Sequence, residues 1–181
     1  MPDLSAARSQ PRVTVFRGFD ALPPATRYTL RGAAEVSAAA GRVFGVELPT
    51  VACRANAAGE RAALWLGPDE WLLLAPAADG DTLERSLSAA LERLPHSLVD
   101  VSHRQMAFAV SGPEATTLLA SGCPLDLDER TFPVGMCTRT MLAKAEVVLW
   151  RTAPMRFRLE VWRSFAAYVS LYLADAASGM I

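Results

Sequence analysis

The stretch VDVSHRQ places Asp100, Ser102 and His103 within four residues. These are the side-chain types of a serine hydrolase, in which histidine accepts the proton of the serine hydroxyl and a carboxylate orients the ring. Their spacing argues against that use. Successive side chains on a strand point to opposite faces, so Asp100 and Ser102 share one face and His103 takes the other. The remaining nucleophile candidates are Cys53, Cys123 and Cys137, widely separated, with no C-x-x-C pair and no neighbouring histidines. Neither a zinc site nor a disulfide framework is indicated. Cys123 follows Gly122 at the end of an expected helix, where a small thiol packs easily. His96, beside Pro95 at a helix end, is expected to cap or to face solvent, and two histidines in all cannot build a multi-histidine metal site. Gly32, Gly67 and Gly112 are single turn residues rather than a phosphate-cradling loop.

With little chemistry in short motifs, bulk properties narrow the reading. A chain of 181 residues, 51% hydrophobic and 20% charged, suits one compact domain with a sizeable core. The net charge of −1 provides no long-range positive field, so neither nucleic acid nor an anionic membrane is an expected partner. Lys144 is the sole lysine among eighteen basic residues, which are scattered rather than clustered. The polar opening MPDLSAARSQPR has no apolar core of a signal peptide, and no stretch approaches the length of a membrane span. The expectation is a cytoplasmic protein with reduced thiols, a flexible tail over 1–12 and one domain over 13–177.

The elements that position these residues follow from periodicity and punctuation. Strands are predicted at 13–16 (VTVF) and 27–32 (RYTLRG), then an Ala-rich helix over 33–45 that ends at Gly41 or Gly45. The segment 46–61 suggests one strand around Val51 and a loop at NAAGE. Two apolar runs at 62–66 and 70–75 fold back around a Gly-Pro-Asp-Glu turn. A helix begins after Asp81, with Leu83, Leu87, Leu91 and Leu94 on one face and Asp81 with Glu84 as a capping pair. Strands at 97–102 and 105–110 follow, then a helix opened by Gly112 and Pro113. Beyond the irregular CPLDLDERTFPVG come strands at 137–142, 145–151 and 156–162, and a helix from Ser164 to about Ala177.

The hairpin therefore occurs twice, each time followed by a helix. Gly112 follows Gly32 by 80 residues, Trp150 follows Trp65 by 85, and Phe157 follows Trp71 by 86. Each half reads strand, strand, helix, three strands, helix. The expected fold is α+β, a duplicated unit with antiparallel sheets in which Trp65 and Trp150 occupy equivalent places.

Several longer stretches carry a resemblance: LGPDEWLLLAP, VDVSHRQ, SGPEATTLLASGCPLDLDERTFPVGMCTRTMLAKAEVVLWR and RSFAAYVSLYLADAA. Together they resemble the gamma-subunit family of heterotetrameric sarcosine oxidase, strongly over about 60–177. More distantly, DVS…SGPEA…LL is similar to the first domain of the glycine-cleavage T-protein, the folate-dependent aminomethyltransferase family, which implies an aminomethyltransferase folate-binding-domain-like fold. That family carries Gly-Gly and Asp-Asp pairs before the strand that here reads EVVLWR. In AKAEVVLW only Glu146 is left as an acid, which argues against folate chemistry.

The resemblance implies a non-catalytic subunit in a complex with alpha, beta and delta chains that oxidises sarcosine to glycine and passes the one-carbon unit to tetrahydrofolate. FAD, FMN, NAD and tetrahydrofolate are then expected in the partner subunits and none in this chain. The alternative is a stand-alone folate-binding or one-carbon transfer protein. The last helix supports a protein partner: Phe165, Tyr168, Val169, Tyr172 and Ala176 make one stripe, while Leu171 and Leu173 lie off it and call for a second cover. Phe132, in a loop without regular periodicity, and Arg163, suited to a bidentate bond with a carboxylate, join Phe165 as expected partner contacts.

Overall fold

A computed structural model of the chain describes residues 18–179, so the expected tail at 1–12 and strand at 13–16 lie outside the described residues. The chain runs β1 (Phe19–Ala21), β2 (Ala25–Gly32), α1 (Ala34–Phe44), β3 (Ala55–Ala58), β4 (Arg61–Gly67), β5 (Glu70–Pro76) and α2 (Gly80–Leu91). It continues β6 (His96–Asp100), β7 (Gln105–Ser111), α3 (Ala115–Ala120), β8 (Cys137–Leu142), β9 (Ala145–Ala153), β10 (Arg156–Trp162) and α4 (Arg163–Ser178).

All strand pairs are antiparallel. One sheet has the order β6-β2-β5-β4-β3 and the other β1-β7-β10-β9-β8. Matching the halves strand for strand, β1 with β6 through β5 with β10, makes the two orders identical, as a duplication requires. The first strand of each half has changed places, however: β1 pairs with β7, and β6 with β2. Neither half completes its sheet alone.

The alternation of the strands explains the layers. On β2 and β5, Tyr28, Leu30, Trp71 and Leu73 face the helix side and pack on Val36, Phe44, Leu83 and Leu87 of α1 and α2. On β7 and β10, Val110, Phe157, Leu159 and Val161 pack likewise on Leu118 of α3 and on Val169 and Leu173 of α4. Each such side chain contributes about 1.5–3 kcal/mol by leaving water. The other faces of the sheets meet in a smaller cluster that includes Ala62, Leu64, Leu72, Leu74, Cys137 and Val148. Helices thus lie outside and two sheets face each other within.

Registers refine the repeat. Trp71 is opposite Leu30, and Phe157 opposite Val110, so Gly32 and Gly112 are true counterparts, 80 residues apart. In the hairpins, Trp65 is opposite Trp71 and Arg151 is opposite Phe157. The residue equivalent to Trp65 is therefore Arg151. Trp150 corresponds to Leu64, and the expected Trp65–Trp150 equivalence is one position out. A one-residue slip puts a side chain on the opposite face: Trp65 packs with the helix-side cluster and Trp150 with the inter-sheet one.

Three local expectations also change. The strand expected around Val51 forms instead at Ala55–Ala58; Val51 is 64% exposed in a turn. Asp81 and Glu84 do not cap α2, which starts two residues earlier, at Gly80 behind Asp79, and the Asp79 carboxylate is taken by Arg61 at 2.6 Å. Helix α3 begins at Ala115 rather than Pro113, because Gly112 adopts φ 113° and its carbonyl accepts the Ala115 N–H to close a turn first.

Candidate functional site

The residues that suggested a hydrolase hold backbone together. Strand β6 ends at Asp100, whose Oδ1 accepts the Ser102 N–H at 2.7 Å. Ser102 Oγ accepts the Arg27 N–H at 2.8 Å, tying this turn to β2. His103 is exposed, and its carbonyl accepts Nε of Arg163 at 2.8 Å. Cys137 is fully buried, and burial, then Cys53, pushes its thiol up to about 12. It stays protonated at neutral pH and is no nucleophile. Cys123 is also buried, beside the Thr140 hydroxyl at 3.8 Å. Among the described residues, no group of three or more His, Cys, Asp or Glu side chains is arranged to hold a metal.

The three expected partner contacts separate. Phe132 is 1% exposed and lies 6.4 Å from the Phe157 ring in the chain's own core. Arg163 is exposed at the start of α4, where its Nε is engaged by His103. Phe165 is 40% exposed, one of four large apolar residues along this region with Trp162, Tyr168 and Leu171 at 45%, 37% and 71%. The buried stripe of α4 is Ala166, Val169, Leu173 and Ala177. The expected stripe was thus rotated: Leu173 belongs to the core, and Phe165 and Tyr168 lie at its margin.

The loop around Phe132 is organised by Arg151, a residue sequence reasoning did not single out. The residue is 4% exposed, and its guanidinium donates to the carbonyls of Leu127 at 3.2 Å, Phe132 at 2.8 Å and Pro154 at 2.6 Å. It also lies 4.9 Å from the Phe157 ring centroid. A planar cation with five donors satisfies several carbonyls at once where lysine would not.

A second arginine-centred group lies between the sheets. Arg27 on β2 pairs with Glu160 on β10 at 2.6 Å, their side chains only 2% and 1% exposed, and Arg158 reaches the other Glu160 oxygen at 2.7 Å. The neighbours of Glu160 and Arg158 across the sheet are Ala107 and Ala109, small enough to admit the guanidinium of Arg27. Nearby, a cleft of about 310 Å³ opens between the sheets, walled by Thr29, Arg104, Gln105, Glu146, Val148 and Trp162. The alternation in RFRLEVW was a legible signal for one polar face. That this face meets a second sheet rather than water was not.

The sarcosine oxidase gamma subunit family matches residues 31–179. The chain belongs to this family. Curated gamma-subunit relatives include sarcosine oxidase subunit gamma of Corynebacterium sp. (strain P-1), 37% identical over 78% of this chain and 69% of the relative. That of Arthrobacter sp. is 38% identical over 77% and 68%. Among solved structures, a chain of heterotetrameric sarcosine oxidase from Corynebacterium sp. U-96 superposes with a TM-score of 0.84 at 32% identity, covering 89% of this chain and 83% of that one. The gamma-subunit fold is also found in the glycine cleavage aminomethyltransferase T of Bartonella henselae, with a TM-score of 0.64 at 13% identity over 86% of this chain and 45% of that one. That second likeness is one of fold alone. Helices of the described region are all too short or too polar to cross a membrane.

Proposed function

We propose that this chain serves as the non-catalytic gamma subunit of a cytoplasmic heterotetrameric sarcosine oxidase, assembling with alpha, beta and delta subunits. The complex would demethylate sarcosine oxidatively to glycine and deliver the one-carbon unit to tetrahydrofolate, with FAD, FMN, NAD and tetrahydrofolate held by the partner subunits. The observation that carries this reading is the likeness to a chain of the Corynebacterium oxidase over 89% of this sequence. Support comes from the α4 region, where Trp162, Phe165, Tyr168 and Leu171 present large apolar groups outward, the residue types of an interface core. Arg163 beside them adds hydrogen-bonding capacity at the rim. Phe132 takes part from inside, holding the loop that carries the exposed Val134.

The test is copurification of the tagged chain from its own cell. The expected result is recovery of three further subunits and sarcosine oxidase activity. Phe165→Ser with Leu171→Ser should abolish that recovery while lowering the isolated chain's stability by only about 1–2 kcal/mol, from the part-buried Phe165 ring and the weaker helix propensity of serine. Recovery of the chain alone, or an isolated chain that binds flavin stoichiometrically or turns over sarcosine, overturns the proposal.

A further inference from the structure

The two sheets end in four edge strands, β1, β3, β6 and β8, and unpaired N–H and C=O groups on an edge are a template for another strand. Three of these edges are short or partly closed. β1 has only three residues. The Ala55 N–H of β3 is taken by the Gly135 carbonyl at 2.8 Å, and the Cys137 N–H of β8 by the Cys53 carbonyl at 3.0 Å. β6 is different. The Val101 N–H bonds to the Arg27 carbonyl, and the register runs unbroken from Tyr28 opposite Asp100 to Gly32 opposite His96. Alternation along an antiparallel ladder then turns the backbone groups of Ser97 and Val99 toward β2 and those of His96, Leu98 and Asp100 outward. No backbone partner for these outward groups occurs among the described residues. The strand also lacks the usual protection of an edge, because no lysine, proline or bulge interrupts HSLVD. His96, Ser97, Val99 and Asp100 are exposed, and only Leu98 leans on the helix-side cluster.

Laid antiparallel to itself, this strand is self-complementary about Leu98. Leu98 meets Leu98 of a second copy, Ser97 meets Val99, and His96 meets Asp100. Side chains at 96, 98 and 100 share one face, so a leucine pair is flanked on both sides by a histidine opposite a carboxylate. The chain leaves one atom of each group available: His96 is engaged through Nδ1 by the Leu94 carbonyl at 2.8 Å, and Asp100 through Oδ1 by the Ser102 N–H at 2.7 Å. A register shifted by two residues in either direction opposes Leu98 to Asp100 or to His96 and forms no such pair.

We propose that β6 pairs with β6 of a second copy of this chain across a two-fold axis at Leu98, joining the two first-half sheets into one continuous sheet. Two hydrogen bonds form between the Leu98 residues and two more in each flanking rung of His96 with Asp100. The exposed Val99 gains a neighbour on the other face. The contact is small, so association belongs in the micromolar range or weaker. It uses a surface other than the α4 face and does not rest on the subunit assembly proposed above.

The full chain is followed by sedimentation velocity from micromolar to millimolar concentration, with amide hydrogen exchange in parallel. A monomer–dimer equilibrium is expected, with slower exchange at His96, Leu98 and Asp100 as the dimer fills. His96→Asp opposes two carboxylates in both outer rungs, and Asp100→Arg opposes arginine to histidine. Each should weaken the dimer about tenfold or more. An equimolar mixture of the two variants should recover it, since each rung then joins opposite charges. Thermal melts check both variants, and His96→Asp, at an exposed position, decides alone if Asp100→Arg melts early. Phe165→Ser with Leu171→Ser should dimerise as the parent does. A chain that stays monomeric, a dimer unaffected by His96→Asp, or a dimer lost in the α4 variant would overturn the proposal. So would slow exchange at Leu98 found only in a complex with other polypeptides, which would assign the edge to a strand of one of them.

Discussion

Leu72 and Leu74 on β5 have Arg158 and Glu160 as their counterparts on β10, and Arg27 on β2 has Ala107 on β7. The same strands in the same order therefore enclose an apolar contact on one side of the inter-sheet layer and a buried charge cluster on the other. The loops differ in the same sense. After α1, the irregular stretch is held by separate single bonds from different side chains and strands: Trp71 Nε1 donates to the Pro49 carbonyl at 2.8 Å, Asn56 Nδ2 to the Glu47 carbonyl at 2.8 Å, and the Cys137 N–H to the Cys53 carbonyl at 3.0 Å. After α3, the corresponding stretch is held by Arg151 through several carbonyls. A duplicated backbone thus preserves pairing and layer order, while side chains are free to diverge wherever both partners of a contact change together. Asymmetry gathers where the halves meet, because there each residue faces a non-equivalent environment.

The strongest way to test this contrast is to unbalance the charged side. Glu160→Ala leaves Arg27 buried without its partner and should cost about 3–5 kcal/mol, a Tm loss of about 10 °C for a chain of this size. Arg27→Met with Glu160→Leu rebuilds the apolar solution of the other half, and Arg158, partly exposed, can turn to water. That pair should fall within about 1.5 kcal/mol of the parent, as volume-conserving swaps do. Thermal melts of the single and double variants decide, and equal losses would show that the halves are not interchangeable solutions.

The two loop anchors come next. Arg151→Met should cost about 3 kcal/mol by leaving buried carbonyls without donors, with faster proteolytic cleavage between residues 121 and 136. Trp71→Phe keeps most of the ring but removes one hydrogen bond, so about 1 kcal/mol is expected. Denaturant titrations of both variants measure the ratio, and a larger loss at Trp71 would reverse the ranking of the loops.

The smallest effect concerns pH. Cys137 has Ala55 as its counterpart, since each lies opposite the equivalent residue of β9 or β4. Its thiol is raised from 9.0 to about 12. A raised folded pKa means that the native state holds its proton more tightly, so this contribution is full below pH 9 and is lost as pH climbs toward 12. Burial, together with Asp100, Glu84 and Asp81, raises the Tyr28 phenol from 10.0 to about 12, adding a loss of the same sign above pH 10. Melts from pH 7 to 11 should be flat to about 9 and then fall, and Cys137→Ala should soften the fall. An unchanged alkaline slope in that variant would remove Cys137 from the account.

Most element boundaries were legible because the signals were local: the leucine spacing of α2, the alternating strands of each hairpin, and Gly45 closing α1 in the left-handed region at φ 78°. For Asp100, Ser102 and His103 the expected strand alternation gives way to a turn after β6, in which the Asp100 and Ser102 side chains accept backbone N–H groups. The short β3, ANAA, carried no such signal, having neither large apolar residues nor alternation to mark it. Phe132 was misread as outward because its loop has no periodicity from which a direction can be inferred.

Sequence alone determined the family signature, the duplicated order of elements and which strand faces are apolar, since each depends on residues close together in the chain or repeated along it. Only the tertiary structure decided that β1 and β6 change sheets, that Phe132 turns inward under Arg151, and that the polar face of β10 is covered. Each of these depends on a contact between distant segments, such as Arg27 with Glu160, 133 residues apart. The physical reason is that a local pattern states how a residue partitions between faces, whereas the partner on each face is set by how the layers close.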